Sequence, residues 1–262
     1  YKIADELAPK QLSDEYCARY GAYDNSGILL DSGEEVKGVL FALDLTFAAI
    51  ARAKEIGANL IICHHPAIYG KISDVRVDDE HLTGGKIVQC LKAGISVIAM
   101  HLNLDLAAGG VDESLMQGVA KAAGENSPII RDSMHVVDGG SYGKAYDLPC
   151  ITAAALADNI KKEFSSERVL CYGGEKTVKR AVSCCGGGAS EESILFAAKA
   201  GADVFISADF KHHLIGLAME KGMGVIALTH YASEHYGFEK YYKKICQRLT
   251  IPCVYHTEKE WL

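Results

Sequence analysis

Three apolar, strand-like runs of this chain end on histidine: Ile61-Ile62-Cys63-His64-His65, Val97-Ile98-Ala99-Met100-His101, and Val225-Ile226-Ala227-Leu228-Thr229-His230. The second and third are followed, four residues on, by a carboxylate, Asp105 and Glu234 respectively. Functional groups of an α/β sheet gather just past the carboxyl ends of parallel strands, so three distant segments could deliver six nitrogen and oxygen ligands to one crevice. A single strand-end histidine is more often a hydrogen-bonded structural residue. Three such clusters together point to a metal site, with two ions. Imidazole and carboxylate suit Zn, Mn, Fe, Co or Ni, whereas Mg or Ca would call for mostly oxygen. No cysteine is among the six candidates although the chain has nine. An open, water-bearing site is therefore favoured over a closed structural zinc site.

Two metals about 3.5 to 4 Å apart can share a carboxylate and a water, and a bridging water ionises near neutral pH to a hydroxide nucleophile. Hydrolysis is the natural reaction class. Asp209 stands at a strand end, and His212-His213 begins the helix after it. These three are the candidate catalytic residues. Adjacent helix positions diverge by about 100°, so at most one of the two histidines faces the site as a proton donor or substrate contact. Gly186-Gly187-Gly188-Ala189-Ser190 joins a strand to a helix, where backbone N–H groups could cradle a phosphate. Glu191 and Glu192 in the first turn would oppose an anion, and a tight turn capped by Ser190 explains the same residues.

The elements that must position these groups alternate. Val36 to Asp44, Asn59 to Cys63 and Ile95 to Met100 read as strands, with helices at Thr46 to Ile56, Gly85 to Ala93 and Gly110 to Ala123. The order returns with strands Val178 to Cys185, Asp203 to Ser207 and Gly224 to Leu228, helices Ser190 to Ala200, Lys211 to Lys221 and Ser233 to Leu249, and a last strand at Cys253-Val254-Tyr255. Short apolar runs separated by amphipathic segments give parallel strands buried on both faces. Lys54 to Ile62 lines up with Lys199 to Ile206, and Lys92 to Ala99 with Lys221 to Ala227. Helix-Gly-strand junctions are generic, but their repetition in one order reads as an internal duplication. The fold expected is α/β: two similar halves with largely parallel sheets facing a shared metal cleft. Residues 1–125 form the first half, 126–177 a connecting segment with a helix from Ile151 to Glu163, and 178–262 the second half.

The chain has 262 residues, 49% hydrophobic and 23% charged, with a formal charge of −7. That is ordinary soluble composition with room for a sizeable core. An acidic balance with dispersed Lys and Arg disfavours an extended nucleic-acid surface, and no apolar run approaches the roughly 20 residues of a membrane span. The first residues carry no apolar signal core and no initiator Met, so a trimmed start and a cytoplasmic location are expected. The cysteines, 17, 63, 90, 150, 171, 184, 185, 246 and 253, show no C-x-x-C pair and read as reduced core residues.

Several segments together resemble the NIF-three-like dinuclear-metal-centre family, the GTP cyclohydrolase I type 2 homologues. They are residues 23–28, Ala42-Leu43-Asp44-Leu45-Thr46, Gly57 through Pro66, His101-Leu102-Asn103-Leu104-Asp105, Gly201 through His213, and Thr229-His230-Tyr231-Ala232-Ser233-Glu234. They follow in order over nearly the whole chain. The resemblance implies two divalent ions on His64, His65, His101, Asp105, His230 and Glu234, a ring-shaped homohexamer, and a GTP cyclohydrolase-like hydrolase acting on a small nucleotide, purine-type or phosphorylated substrate. The long insertion carried by some members between the halves is missing. Cys63 stands where a hydroxyl residue is usual, Tyr23 replaces a Trp, and Ala208 replaces a Gly; no proposed ligand is lost. The alternative is a non-catalytic metal-binding scaffold or regulatory protein, since a fold and a metal site do not by themselves imply turnover.

Overall fold

Apolar runs of four residues can be removed from water on both faces only inside layered sheets and helices, and the chain builds two such units. The computed structural model describes residues 1–70, 72, 74–78 and 82–261. Helices α1 (Lys2–Leu7) and α2 (Lys10–Tyr20) lead to strand β1 (Gly27–Leu30). Then follow β2 (Val39–Ala42), α3 (Phe47–Glu55), β3 (Leu60–Cys63), α4 (Leu82–Lys92), β4 (Ser96–Ala99), α5 (Leu102–Leu106) and α6 (Val111–Ala122). The middle of the chain forms β5 (Ile130–Val137), β6 (Gly140–Thr152), α7 (Ala153–Glu163) and β7 (Leu170–Tyr172). The rest comprises β8 (Thr177–Ser183), α8 (Glu191–Lys199), β9 (Val204–Ser207), α9 (His212–Glu220), β10 (Gly224–Ala227), α10 (His230–Cys246) and β11 (Cys253–His256).

One unit spans Tyr1–Leu104 and Phe238–Thr257. Its sheet runs β1-β4-β3-β2-β11, parallel from β4 to β11 with β1 antiparallel at the edge. Every residue of β2 and β3 is buried. Leu40, Ile61 and Val97 pack with Ile50, Ala53, Cys90 and Ile95 of the flanking segments. Thr46 caps α3 by accepting from the Ala49 N–H at 2.9 Å, which starts the helix directly after the strand end that carries Asp44.

The other unit spans Asp105–Gly237 and Glu258–Leu262. Its sheet runs β5-β6-β8-β9-β10-β7, with β8, β9 and β10 parallel and the remaining pairings antiparallel. Val182, Phe205 and Val225 form its core with Ile194, Ala197, Leu214 and Ala218. Ser190 caps α8 in a reciprocal box with Ser193.

The two sheets share a wiring pattern: β1-β4-β3-β2 in one, β7-β10-β9-β8 in the other. The helix-to-strand junctions repeat bond for bond. Ala58 donates to Ala53 at 2.9 Å and Ala202 to Ala197 at 3.0 Å; Met100 donates to Cys63 at 2.8 Å and Leu228 to Ser207 at 3.0 Å. These pairs match the duplication read from the sequence. They also show a one-residue slip. His101 directly follows Met100, whereas Thr229 stands between Leu228 and His230.

The unit boundaries differ from divisions at 125/126 and 177/178. Residues 126–177 supply β5, β6, α7 and β7, and β6 pairs with β8 from Lys144 opposite Ser183 to Thr152 opposite Thr177. Backbone pairing makes this segment part of the second sheet. Phe238 to Thr257 returns to complete the first sheet through β11.

Candidate metal centre

The strand ends and the helices that follow them hold the predicted ligands, three in each unit. In the first unit, the ligand atoms of His64, His65 and His101 all lie within 4.8 Å of one another. His64 is fully buried at the end of β3, and its Nδ1 meets the Met100 carbonyl oxygen at 2.7 Å. A carbonyl only accepts, so Nδ1 carries the proton and Nε2 keeps the lone pair. Asp44, two residues past β2, accepts from His65 Nδ1 at 2.9 Å, and Asp24 accepts from His101 Nδ1 at 2.7 Å. Burial alone would raise the Asp24 carboxyl, but hydrogen bonds from His101 and Ser26 outweigh it and bring it down to about 2. Asp24 is therefore an anion at neutral pH, fit to hold the ring.

In the second unit, β10 feeds α10, and the first turn of that helix brings His230 Nε2 to 3.1 Å from Glu234 Oε1. The i, i+4 spacing puts both side chains on one face. His230 Nδ1 lies 2.5 Å from Asp209 Oδ2. Asp209 has φ of 54°, a left-handed backbone that Asp tolerates better than most residues. Glu234 is 3% exposed and Asp105 is 6% exposed. Carboxylates so deeply buried are costly unless partnered by protons, donors or cations. The Cys185 thiol donates to Asp105 Oδ1 at 3.4 Å.

The donor set fits divalent cations. All four imidazoles have Nδ1 tied to an oxygen, which fixes ring orientation and leaves Nε2 as the ligand atom, as in metal-bound histidines generally. The turn after β8 is shaped around one of the carboxylates. Gly186 has φ of 56°, and a Cβ there would sit 2.1 Å from Glu234 Oε1 and 3.2 Å from His230 Nε2. Its N–H donates to Ser233 Oγ at 3.0 Å. Gly186 thus allows close packing against α10 and Gly188 against Tyr142 and Cys184, and Ser190 caps the next helix, as the tight-turn reading of the sequence expected.

His212 and His213 are exposed at the start of α9. Asp209 reaches His230, so its role in the structure is to hold an imidazole. Asp24 and Asp44 escaped the sequence reading as ring holders. Asp44 had a signal, a carboxylate closing the apolar run Val39–Ala42 like the other strand ends. Asp24 had no such pattern, because it precedes the four-residue β1; what marked it was its place in the segment 23–28 that resembles the family.

The chain belongs to the Duf34/NIF3 (NGG1p interacting factor 3) family, whose model matches residues 2–259. A Clostridium perfringens protein named GTP cyclohydrolase 1 type 2 homolog is 28% identical over 261 residues, covering 98% of this chain and 94% of its own. One from Archaeoglobus fulgidus with the same name is 28% identical over 244 residues, covering 90% of each. A solved Bacillus cereus protein related to NIF3 superposes with a TM-score of 0.77 at 18% identity, over 98% of this chain and 95% of that one. A Staphylococcus aureus hypothetical protein gives 0.78 at 24% identity, over 98% and 94%. The fold is shared with both.

Proposed function

We propose that this chain is a metal-dependent hydrolase of small nucleotide, purine-type or phosphorylated substrates, working with two divalent ions from among Zn, Mn, Fe, Co and Ni. The observation that carries the reading is the common state of four histidines, each tied through Nδ1 to an oxygen so that Nε2 is the ligand atom. His64, His65, His101, Asp105, His230 and Glu234 would hold the ions. When bound, such ions supply Lewis-acid polarisation and activate water near neutral pH. The chain's own residues orient the ligands: Asp24, Asp44 and Asp209 fix three rings, and the Met100 carbonyl fixes the fourth. His212 and His213, three and four residues after Asp209, are the candidate proton donors or substrate contacts. The relatives' name supports a nucleotide substrate.

The test is turnover by purified protein on nucleotides and phosphoesters with Mn, Zn or Fe added. Activity that disappears with chelator and returns with metal is expected. Bound metal with no turnover across the panel would leave a metal-binding scaffold or regulator in its place.

A further inference from the structure

The β8–α8 turn is tied to its surroundings by more bonds than a simple reversal needs. Asp112, fully buried on α6, accepts from the Lys144 ammonium at 2.7 Å and the Gly143 N–H at 3.0 Å with Oδ2, and from the Cys185 N–H at 3.0 Å with Oδ1. Lys144 is 2% exposed and also donates to the Ser141 carbonyl at 2.9 Å. The hydroxyl of the half-buried Tyr142 donates to the Cys185 carbonyl at 2.6 Å. Every polar group of Cys185 is thereby engaged: its N–H by Asp112, its carbonyl by Tyr142, and its thiol with Asp105. The next residue, Gly186, lies against Glu234 and donates to Ser233. A buried ion pair is weak evidence for stability, because desolvation offsets most of its attraction. It is a rigid, directional anchor.

We infer that Cys185, anchored through its backbone by the Asp112–Lys144 pair and Tyr142, is a positioning residue that orients the Asp105 carboxylate for metal through its thiol hydrogen bond. The inference rests on the proposed metal-binding role of Asp105. It goes beyond that role in naming a device outside the ligand set. The thiol is a weak donor in a shell where partners of ligands typically tune affinity by about 10- to 100-fold. The anchor fixes where that donor stands. Without it, Asp105 retains its helix but loses one of the contacts that select its rotamer.

The experiment measures Co(II) affinity of the full chain by competition with a chromophoric chelator, for wild type, Cys185→Ser and Cys185→Ala. Thermal melts and elution volumes accompany each protein. Cys185→Ser keeps a donor of similar size and should bind within a few-fold of wild type. Cys185→Ala should bind about 10-fold more weakly with its melt near that of the serine variant. Lys144→Met should weaken binding in the same direction with Cys185 itself unchanged. Alanine and serine variants equal in Co(II) affinity would overturn the positioning role while leaving the metal site standing. A wild-type chain that holds no Co(II) would overturn both readings together.

Discussion

A histidine is a metal ligand only when its ring is presented, and the presenting atoms here are oxygens far away in sequence. Asp44 holds His65 across 21 residues and Asp24 holds His101 across 77. Asp44→Ala removes a half-exposed partner without opening the core, so the fold should persist while divalent metal affinity falls about 10-fold. Titration against a competing chelator reads this directly; unchanged affinity would remove Asp44 from the site. A second prediction concerns Gly186. A methyl at that position meets the movable Glu234 carboxylate, and at positive φ it adds about 1 kcal/mol of backbone strain. Gly186→Ala should therefore displace the carboxylate and lower metal content much more than it lowers the melting temperature. Elemental analysis beside a thermal melt separates the two effects.

Elements differ in how visibly they are written. Strands β2, β3, β9 and β10 are short, nearly continuous apolar runs because helices cover both faces, and that composition has few other readings. The β5–β6 hairpin is another matter. β5 is an edge strand with Ile130, Arg131 and Asp132 all exposed, and β6 includes glycines at 140 and 143 and Pro149. Its stability comes from pairing with β8, a tertiary fact that local pattern cannot report. The six ligand candidates were legible because four histidines close apolar runs and two carboxylates follow at i+4; Asp112 and Lys144 were not, because a buried charge pair is defined by its partner. Close helix packing gives a further prediction. A Cβ on Gly237 of α10 would lie 2.7 Å from the Val111 Cα and 3.0 Å from the Ser114 Cβ of α6. Alanine would gain about 1 kcal/mol of helix propensity, but overpacking against backbone costs about 1–3 kcal/mol. Gly237→Ala should be net destabilising in urea titrations; a stabilised variant would show that α6 can yield.

For the molecule as a whole, thiols and phenols set the alkaline limit. Burial pushes Cys63 up to about 12 and Cys90 up to about 11, from an ordinary 9.0, and it raises Cys184, Tyr142 and Tyr241 as well. A pKa raised in the folded state means the neutral form is favoured there. The associated stability is complete below the unfolded value and is lost as pH rises toward the folded one. Stability should thus hold to about pH 9 and fall from there through pH 12, thiols first and phenols after, by a few kcal/mol in total from Cys63 alone. Urea midpoints measured from pH 8 to 11 check this, and a flat profile would contradict it. Among the described residues no helix is long and apolar enough to cross a membrane. The family resemblance leads us to propose a homohexamer, for which closed symmetry is the usual arrangement. Light scattering at micromolar concentration should give six times the chain mass; a monomer's mass would refute it.

The strand β11 has a consequence for how the chain is made. Residues 253–256 complete a sheet whose other strands were synthesised first, while residues 105–237 of the second unit emerge entirely before them. During vectorial synthesis residues 105–237 can pair among themselves while the first unit waits. In that interval β2, with all four residues apolar and buried in the finished protein, is an edge with open N–H and C=O groups. The nascent chain is most vulnerable to cross-pairing in that window, and slow translation of residues 238–252 would lengthen it.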